Sequence, residues 1–575
     1  MRRILLAFNI AALCVLGQQA IFPLAQVRPE MKGVARTVFR GQDSEEFPIE
    51  ILGVLSNSGP GQSVILAKLL TARLEQTGVM QGMSGSPVYI DGKLAGAIAF
   101  AFPFAKEPIA GIRPIEEMLS ANAVGAGSRG LAEVHLGSKE LIAAAPAAES
   151  PRFTEVLTPI SFAGFSAGAV EHFASSWKQL GFVLQQGASG SRPDVPSGPL
   201  KPGDMISVQL LGGDMTVGAD GTLTHIDGKK MYAFGHRFMG GGAVEFPFSK
   251  AEVITPLPNL NTSFKISQGL KPAGAILFDA ESAVTGEIGR SVKLTPVKIR
   301  YRDARGMQTY SIEMVRHPVL SPLLIQMAVY SCIDRNFRSA GVGTVDIKGN
   351  IRYPGTAPLL IEGRYAGDSN VPLAASLGAA IPVAFLQQQV VESILPESVE
   401  FDITAKPSRQ QWAIERITLS RRSAKPGETV GIETLLATPD GKEQLLKQDF
   451  VVPGWMSGGE TLTVTVTDSF TTNLLDFRSF YQPGGPTFRS ASDLIETVNT
   501  LHPSDSLFLR VMRSGSAYQS GSKDFANLPV SVSAAMQKTP SVFTPTYQSK
   551  LLAKEFRVAE GVVSGSRTVT MEVEK

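Results

Sequence analysis

This chain is poor in cysteine, histidine and net charge, and each shortage removes a class of protein. It holds 2 cysteines in 575 residues, Cys14 and Cys332. Once Cys14 leaves with a cleaved leader, Cys332 has no internal partner, and no disulfide framework can hold the fold. Cys332 follows the apolar stretch Leu323 to Tyr330, the setting of a buried thiol rather than a reactive one. The formal net charge is only +2, so nothing electrostatic points to nucleic acid. No His, Cys, Asp or Glu cluster has metal-ligand spacing. Gly240-Gly241-Gly242 is no phosphate loop, since neither a Lys-Ser/Thr pair nor a helix follows it. No cofactor is implied. The apolar run Ile4 to Gly17 is too short for a comfortable membrane span.

That run follows Arg2 and Arg3. A basic head before a short apolar stretch reads as a secretory signal peptide, residues 1–26, cleaved near Ala25 or Gln26. An uncleaved anchor is the alternative. Leu13 is not the small residue that a lipid-attachment site at Cys14 needs. The expected location is secreted or periplasmic, and export without disulfides suits a bacterial envelope protein with large cores.

Gly 56 and Pro 37 are generous, and Thr, Val and Ile recur in short runs. Many short strands joined by turns follow from this, in a chain long enough for several cores. Strands are expected at Ile49–Val54, Ser63–Leu66, Met205–Leu211, Leu223–Ile226, Met231–Phe234 and Thr461–Thr467. Helices are expected at Pro114–Leu119, Ala167–Leu180, within 371–394 and at Ser492–Leu501. Gly, Ser, Ala and Pro concentrate in 120–150 and 186–203, as in linkers. The expected organisation is a first barrel half at 27–120, a linker with a helical insertion at 121–200, a second barrel half at 201–335 and an α/β segment at 336–411. An immunoglobulin-like sandwich at 412–475 and an α+β domain at 476–575 complete it.

The most telling stretch is Gly82-Met83-Ser84-Gly85-Ser86-Pro87, followed by Val88-Tyr89-Ile90, the turn Asp91-Gly92, and Lys93 to Phe100. Asp-Gly between apolar runs signals a hairpin. Glycines around a serine let the backbone fold sharply and aim N–H groups at one spot, which suits an oxyanion. A serine nucleophile needs a base, usually histidine. There are 6 histidines. His135 borders a loose stretch, His172 sits on the expected helix, and His317 and His502 precede prolines. His225 and His236 remain, and His236 ends an apolar strand just after Gly235.

The run from Gln81 to Pro87, with Asp91-Gly92-Lys93-Leu94-Ala95-Gly96-Ala97, resembles the SpoIVB family of serine peptidases. Thr37-Val38-Phe39, Phe47 to Ile51, and Gly111-Ile112 through Leu119 match as well. Gly221 to Thr224, Asp227-Gly228 and Phe234-Gly235-His236 resemble the strand-turn-strand before the family's histidine. The resemblance covers about 31–120 and 203–300. That family is distantly similar to chymotrypsin-like peptidases, which implies two six-stranded β-barrels with the site between them. It further implies Ser84 as nucleophile, His236 as general base, and the N–H groups of Gly82 and Ser84 as oxyanion hole. The strand Ala97 to Phe104 would line the specificity pocket. The substrate class implied is protein or peptide, with envelope partners for the rest of the chain.

Two departures stand out. In the family the histidine half precedes the serine half; here Ser84 comes first, which reads as a circular permutation. The family's aspartate shortly before the serine has no counterpart near Leu70 and Thr71, and Glu75 lies on the segment leading into the motif. Asp279, 43 residues after His236, is the expected acid, with a Ser-His dyad oriented by a backbone carbonyl as the alternative. The expected fold is mainly β: a circularly permuted, chymotrypsin-like double barrel plus a C-terminal β-sandwich and small α/β segments. Three functions stay open: an exported serine endopeptidase, an inactive peptide binder, or a structural envelope protein.

Overall fold

The computed structural model describes residues 19–59, 61–102, 105–122, 154–156, 158–185, 194–260, 262–336, 340–388, 394–478, 490–520, 523–526, 528–538, 544–558 and 561–575. The fold is mainly β, as expected, and its strands close into barrels.

The first barrel uses β1 (Lys32–Thr37), β2 (Glu45–Gly59), β3 (Gln62–Leu69), β4 (Pro87–Ile90), β5 (Lys93–Ala101) and β6 (Ile109–Pro114). They pair in the order β4-β1-β2-β3-β6-β5, and β5 returns to β4, so no edge is left between them. Asp91 and Gly92 both have positive φ, 49° and 74°, as the tight β4–β5 hairpin requires. Phe47, Ile49, Ile51, Ile65, Ala67 and Leu69 fill the interior. Their two-residue spacing along β2 and β3 is the period of a half-buried strand. Between β3 and β4 lies α1 (Ala72–Thr77), capped by Thr71, and after β6 comes α2 (Ile115–Leu119).

A short strand β7 (Thr154–Glu155) pairs with the end of β5. Then β8 (Thr158–Ala163) and β9 (Phe182–Gln185) flank α3 (Ala167–Gln179), whose N-terminus is capped by Ser166. The second barrel follows with β10 (Met205–Gly213), β11 (Thr216–Asp227), β12 (Lys230–Ala233), β13 (Gly242–Leu257), β14 (Phe264–Ala280) and β15 (Ala283–Ile288). These run in the order β10-β13-β14-β15-β12-β11, and β11 closes on β10. The strands β16 (Thr295–Asp303), β17 (Gly306–Met314), β18 (Ala340–Arg352), β19 (Leu359–Ser369) and β20 (Ser398–Lys406) extend the sheet past β10 in the order β17-β16-β20-β18-β19. Helices α4 (Leu320–Asn336) and α5 (Val371–Gln388) pack in the same core. Helix α4 has no polar stripe, which is why the apolar stretch around Leu323 carries no helical period to read. Cys332 is fully buried on it, and burial pushes its thiol pKa well up.

Strands from Gln411–Leu419 to Ser566–Val573 form two further sheets around one core, which includes Ile414, Val464, Leu509 and Met571. The 412–475 and 476–575 stretches therefore contribute to the same sandwich. No helix among the described residues is long and apolar enough to cross a membrane.

Residues 1–18, most of the 120–150 linker and 186–193 lie outside the described residues. From Ala20 onward the chain is part of the first barrel. The Leu94 N–H donates to the Ala20 carbonyl, and the Phe22 N–H donates to that of Leu94. Phe22 and Val27 are buried in the barrel core. Removal of a leader ending near Ala25 or Gln26 would take Phe22 with it and vacate its site in the barrel core. A chain starting at Val27 is expected to be less stable than one starting at Gln19, by about 3 kcal/mol, the cost of vacating a buried phenylalanine site. Denaturant midpoints of the two chains measure the difference, and equal midpoints would refute it.

Candidate active site

The two barrels meet at the serine turn. Val38, Met205, Ala251 and Val253 form one patch of the interface; Tyr89, Leu94, Ala97 and Ile115 meet Tyr232 and Ala283 in another. Between these patches Thr222, fully buried on β11, connects both sequence motifs. Its N–H donates to the Ser84 carbonyl at 2.8 Å, and its hydroxyl donates to the Gly82 carbonyl at 2.8 Å. Its own carbonyl accepts the Phe234 N–H at 3.3 Å. Two residues along, the Thr224 hydroxyl donates to the Gly85 carbonyl at 2.7 Å.

Gly85 cannot be replaced here. It has φ 91°, and a Cβ would sit 2.0 Å from the Thr222 carbonyl oxygen and 2.5 Å from the Phe234 nitrogen. The strand that brings Thr222 is pressed against the place where any side chain would go.

The N–H groups of Met83, Gly85 and Ser86 are taken by the carbonyls of Met80, Ile98 and Met83. Those of Gly82 and Ser84 make no hydrogen bond among the described residues. The Ser84 hydroxyl is buried and has no partner. The neighbouring Ser86 hydroxyl shares that state, but the Ser86 N–H is taken by the Met83 carbonyl, whereas the Ser84 N–H is unengaged.

His236 enters from the other side. The Gly235 N–H bonds back to the Ala233 carbonyl at 2.9 Å, with Phe234 between them at φ 71°. This is a γ-turn, a rare and strained turn centred on a bulky residue. The first barrel holds its far end. Arg113 Nε donates to the Gly235 carbonyl at 3.3 Å, and a Cβ on Gly235 would lie 3.2 Å from that of Ala99. Arg113 is buried and is anchored by Gln62 at 2.9 Å and Glu117 at 3.1 Å.

The His236 ring is 2% exposed. Its Nδ1 lies 2.7 Å from the Arg237 carbonyl, which can only accept, so Nδ1 carries the proton. Nε2 is left as a bare lone pair, buried and without a partner. Burial pushes the imidazole pKa down to about 4, with the Arg113 guanidinium adding to the fall. The Arg237 carbonyl and the Asp279 charge act the other way. No hydrogen bond joins Ser84 to His236 in this closed arrangement.

Asp279 does not touch the imidazole by a hydrogen bond. Its Oδ1 accepts the Phe238 N–H at 2.7 Å, and its Oδ2 accepts those of Met239 at 2.7 Å and Gly241 at 3.1 Å. The carboxylate thus shapes the loop after His236 and contributes charge from a distance. The orienting acceptor on Nδ1 is a backbone carbonyl, the alternative to an aspartate. Burial pushes the Asp279 carboxyl up, and these N–H bonds pull it back.

Three of the other histidines go elsewhere, and His135 lies outside the described residues. His225 packs its ring against Tyr232 at 5.9 Å. His317 accepts the Val319 and Leu320 N–H groups at the start of α4. His172 stacks on Tyr330 at 5.3 Å. Strand β5 ends at Ala101, and residues 103 and 104 of the expected pocket strand lie outside the described residues.

Residues 19–119 match the family model described as SpoIVB peptidase S55. The match covers the barrel that carries Ser84 and supports the resemblance of its serine motif to SpoIVB-type serine peptidases. No curated protein matches the chain.

Thr222→Val keeps the backbone bonds and removes only the hydroxyl on Gly82. It is expected to cost about 1–2 kcal/mol. Denaturant unfolding checks the loss, and an unchanged midpoint would show that the Thr222 hydroxyl does not help hold the turn.

Proposed function

We propose that the chain is an exported serine endopeptidase working by acyl transfer through Ser84 and His236. The observation that carries this reading is the pair of buried atoms without partners, Ser84 Oγ and His236 Nε2, on turns tied together through Thr222. Unpartnered buried polar atoms cost stability, and finding one on each of the two turns tied through Thr222 gives that cost a purpose. The match to a peptidase family agrees with it.

Ser84 Oγ attacks the scissile carbonyl carbon while Nε2 takes its proton. The carbonyl oxygen becomes an oxyanion, received by the Gly82 and Ser84 N–H groups. Collapse breaks the C–N bond, and the leaving amine takes the proton from Nε2. Water then gives a proton to Nε2, attacks the acyl-enzyme and releases the new carboxylate, and Ser84 recovers its proton. Throughout, the Nδ1–H bond to the Arg237 carbonyl fixes the ring, and Asp279 holds the loop. The order of Ser84 before His236 is a circular permutation of the family's two halves, which leaves this chemistry unaffected because roles are set by geometry.

The inactive peptide-binding or structural envelope reading draws on the burial of both residues. A fluorophosphonate probe separates the two. Labelling of the wild type is expected to fall by about 10⁴-fold or more in Ser84→Ala and His236→Ala. A folded wild type that is never labelled would refute the peptidase.

The base must be neutral to accept a proton. The labelling rate is therefore expected to rise with pH through a midpoint at about 4. A midpoint at 6.5, the ordinary imidazole value, would show that the ring is solvated in the working enzyme.

A further inference from the structure

Two lysines are buried where the second barrel meets the first, and they are treated differently. Lys250 is paired with Asp204 at 2.9 Å. Lys265, 1% exposed at the start of β14, has no carboxylate partner among the described residues. Its Nζ donates to the Thr37 hydroxyl at 2.6 Å and to the Gly82 carbonyl at 3.4 Å. A buried ammonium without an anion is costly, so its position beneath the serine turn calls for a reason.

The backbone around it gives one. The Gln81 N–H donates to the Ser263 carbonyl at 2.9 Å, and the Lys265 N–H donates to the Gln81 carbonyl at 3.3 Å. The Gln81–Gly82 peptide is planar. Pinning its carbonyl toward β14 turns the Gly82 N–H the opposite way, and that N–H is one of the two left unengaged. The next carbonyl, that of Gly82, is held by Lys265 Nζ together with the Thr222 hydroxyl. The lysine stem also fills the space at Gly82, where a Cβ would meet Lys265 Cδ at 3.5 Å and Met205 Cε at 2.9 Å.

We propose that Lys265 is the positioning residue of the oxyanion hole, holding the Gly82 turn from beneath and presenting a positive charge behind the site where the oxyanion forms. This rests on the reading of Ser84 as nucleophile. The missing anion is then the transition state itself: the ammonium is uncompensated in the resting protein and gains its counter-charge only when the carbonyl oxygen becomes negative.

The charge can be titrated. Burial alone pushes the Lys265 pKa down to about 7 from 10.5. Among the titratable groups on neighbouring elements, Asp204 and Lys250 neutralise each other. Asp220 is bonded to Ser267 and its carboxyl is pushed up by burial. Arg36, beside Thr37, pairs with Glu46. The turn itself carries no charged side chain. Between about 7 and 10.5 the unfolded chain holds the extra proton, so folded stability rises with pH in that window. The reaction rate falls in the same window as the charge disappears. A purely structural lysine gives no such opposition.

The test is the rate of fluorophosphonate labelling of the whole chain across pH, with its thermal midpoint, for wild type, Lys265→Met and Lys265→Arg. The phosphonyl oxygen of the probe takes the oxyanion position. At pH below 7, Lys265→Met should label about 10-fold more slowly or worse, with no loss of thermal midpoint. The wild-type fall above about 7 should be absent from its profile. Lys265→Arg, charged at every pH used, should restore the rate and keep it at high pH. A Lys265→Met rate equal to wild type overturns the assignment, as does a rate loss matched by a loss of thermal midpoint. If Ser84 in the wild type is not labelled at all, the peptidase reading falls and takes this proposal with it; normal Ser84 labelling with an unaffected Lys265→Met removes this proposal alone.

Discussion

The structure turns on the bonds of one residue, Thr222. Through its N–H, hydroxyl and carbonyl it reaches Ser84, Gly82 and Phe234. Each bond alone is worth about 1 kcal/mol, too little to hold two barrels together. Burial of the interface side chains supplies the affinity; Thr222 supplies the register. A slip of one residue along β11 would turn its hydroxyl away from the serine turn, because side chains alternate along a strand. The need for close approach at Gly85 makes the register stricter still, since only the correct pairing places a backbone carbonyl where no side chain stands.

Each barrel carries one of the two proposed reacting groups and holds the other's. Ser84 belongs to the first barrel but is fixed by Thr222, Thr224 and Lys265 of the second. His236 belongs to the second, yet the turn before it is fixed by Arg113 and Ala99 of the first. Neither turn has its full set of contacts until the barrels dock. The strain at Phe234 and the unpartnered atoms on Ser84 and His236 are held by contacts elsewhere in the interface, as strain at functional sites generally must be.

The amino-acid sequence makes much of this legible. The Gly-x-Ser-Gly-x-Pro motif, the Asp91-Gly92 hairpin and the apolar alternation of the strands are local signals, and a linear chain displays local signals directly. The helix of Ala167–Gln179 is readable from its apolar face and the Gly181 beyond it. Arg113 and Lys265 are not readable. A single arginine at a strand end and a single lysine after a polar loop look like solvated charges, and only the docking of a distant segment buries them. Asp279 shows the limit from the other side. Its spacing after His236 suggests a triad acid, but spacing cannot say whether a carboxylate meets a ring or the backbone of the loop beside it. Here three N–H groups of that loop compete for it. At the N-terminus two signals differ: composition marks an apolar leader, while the burial of Phe22 marks where packing in the barrel begins.

The electrostatics of the site follow from its burial. In a low-dielectric setting an imidazole without a carboxylate bond is held neutral. That favours a ready base over a strong one, since a depressed pKa leaves Nε2 unprotonated but less eager for the proton. In the proposed reaction, the imidazolium formed in the first step then needs stabilisation nearby. The Arg237 carbonyl supplies a dipole and Asp279 a partial counter-charge, while Arg113 opposes it. On the other side, Lys265 holds the Gly82 carbonyl and, in the proposed reaction, favours the oxyanion. An arrangement that stabilises the developing negative charge more directly than the positive one distributes the work unequally between the barrels. Loss of the backbone contacts around Gly82 should then weaken the chemistry more than loss of the Asp279 charge.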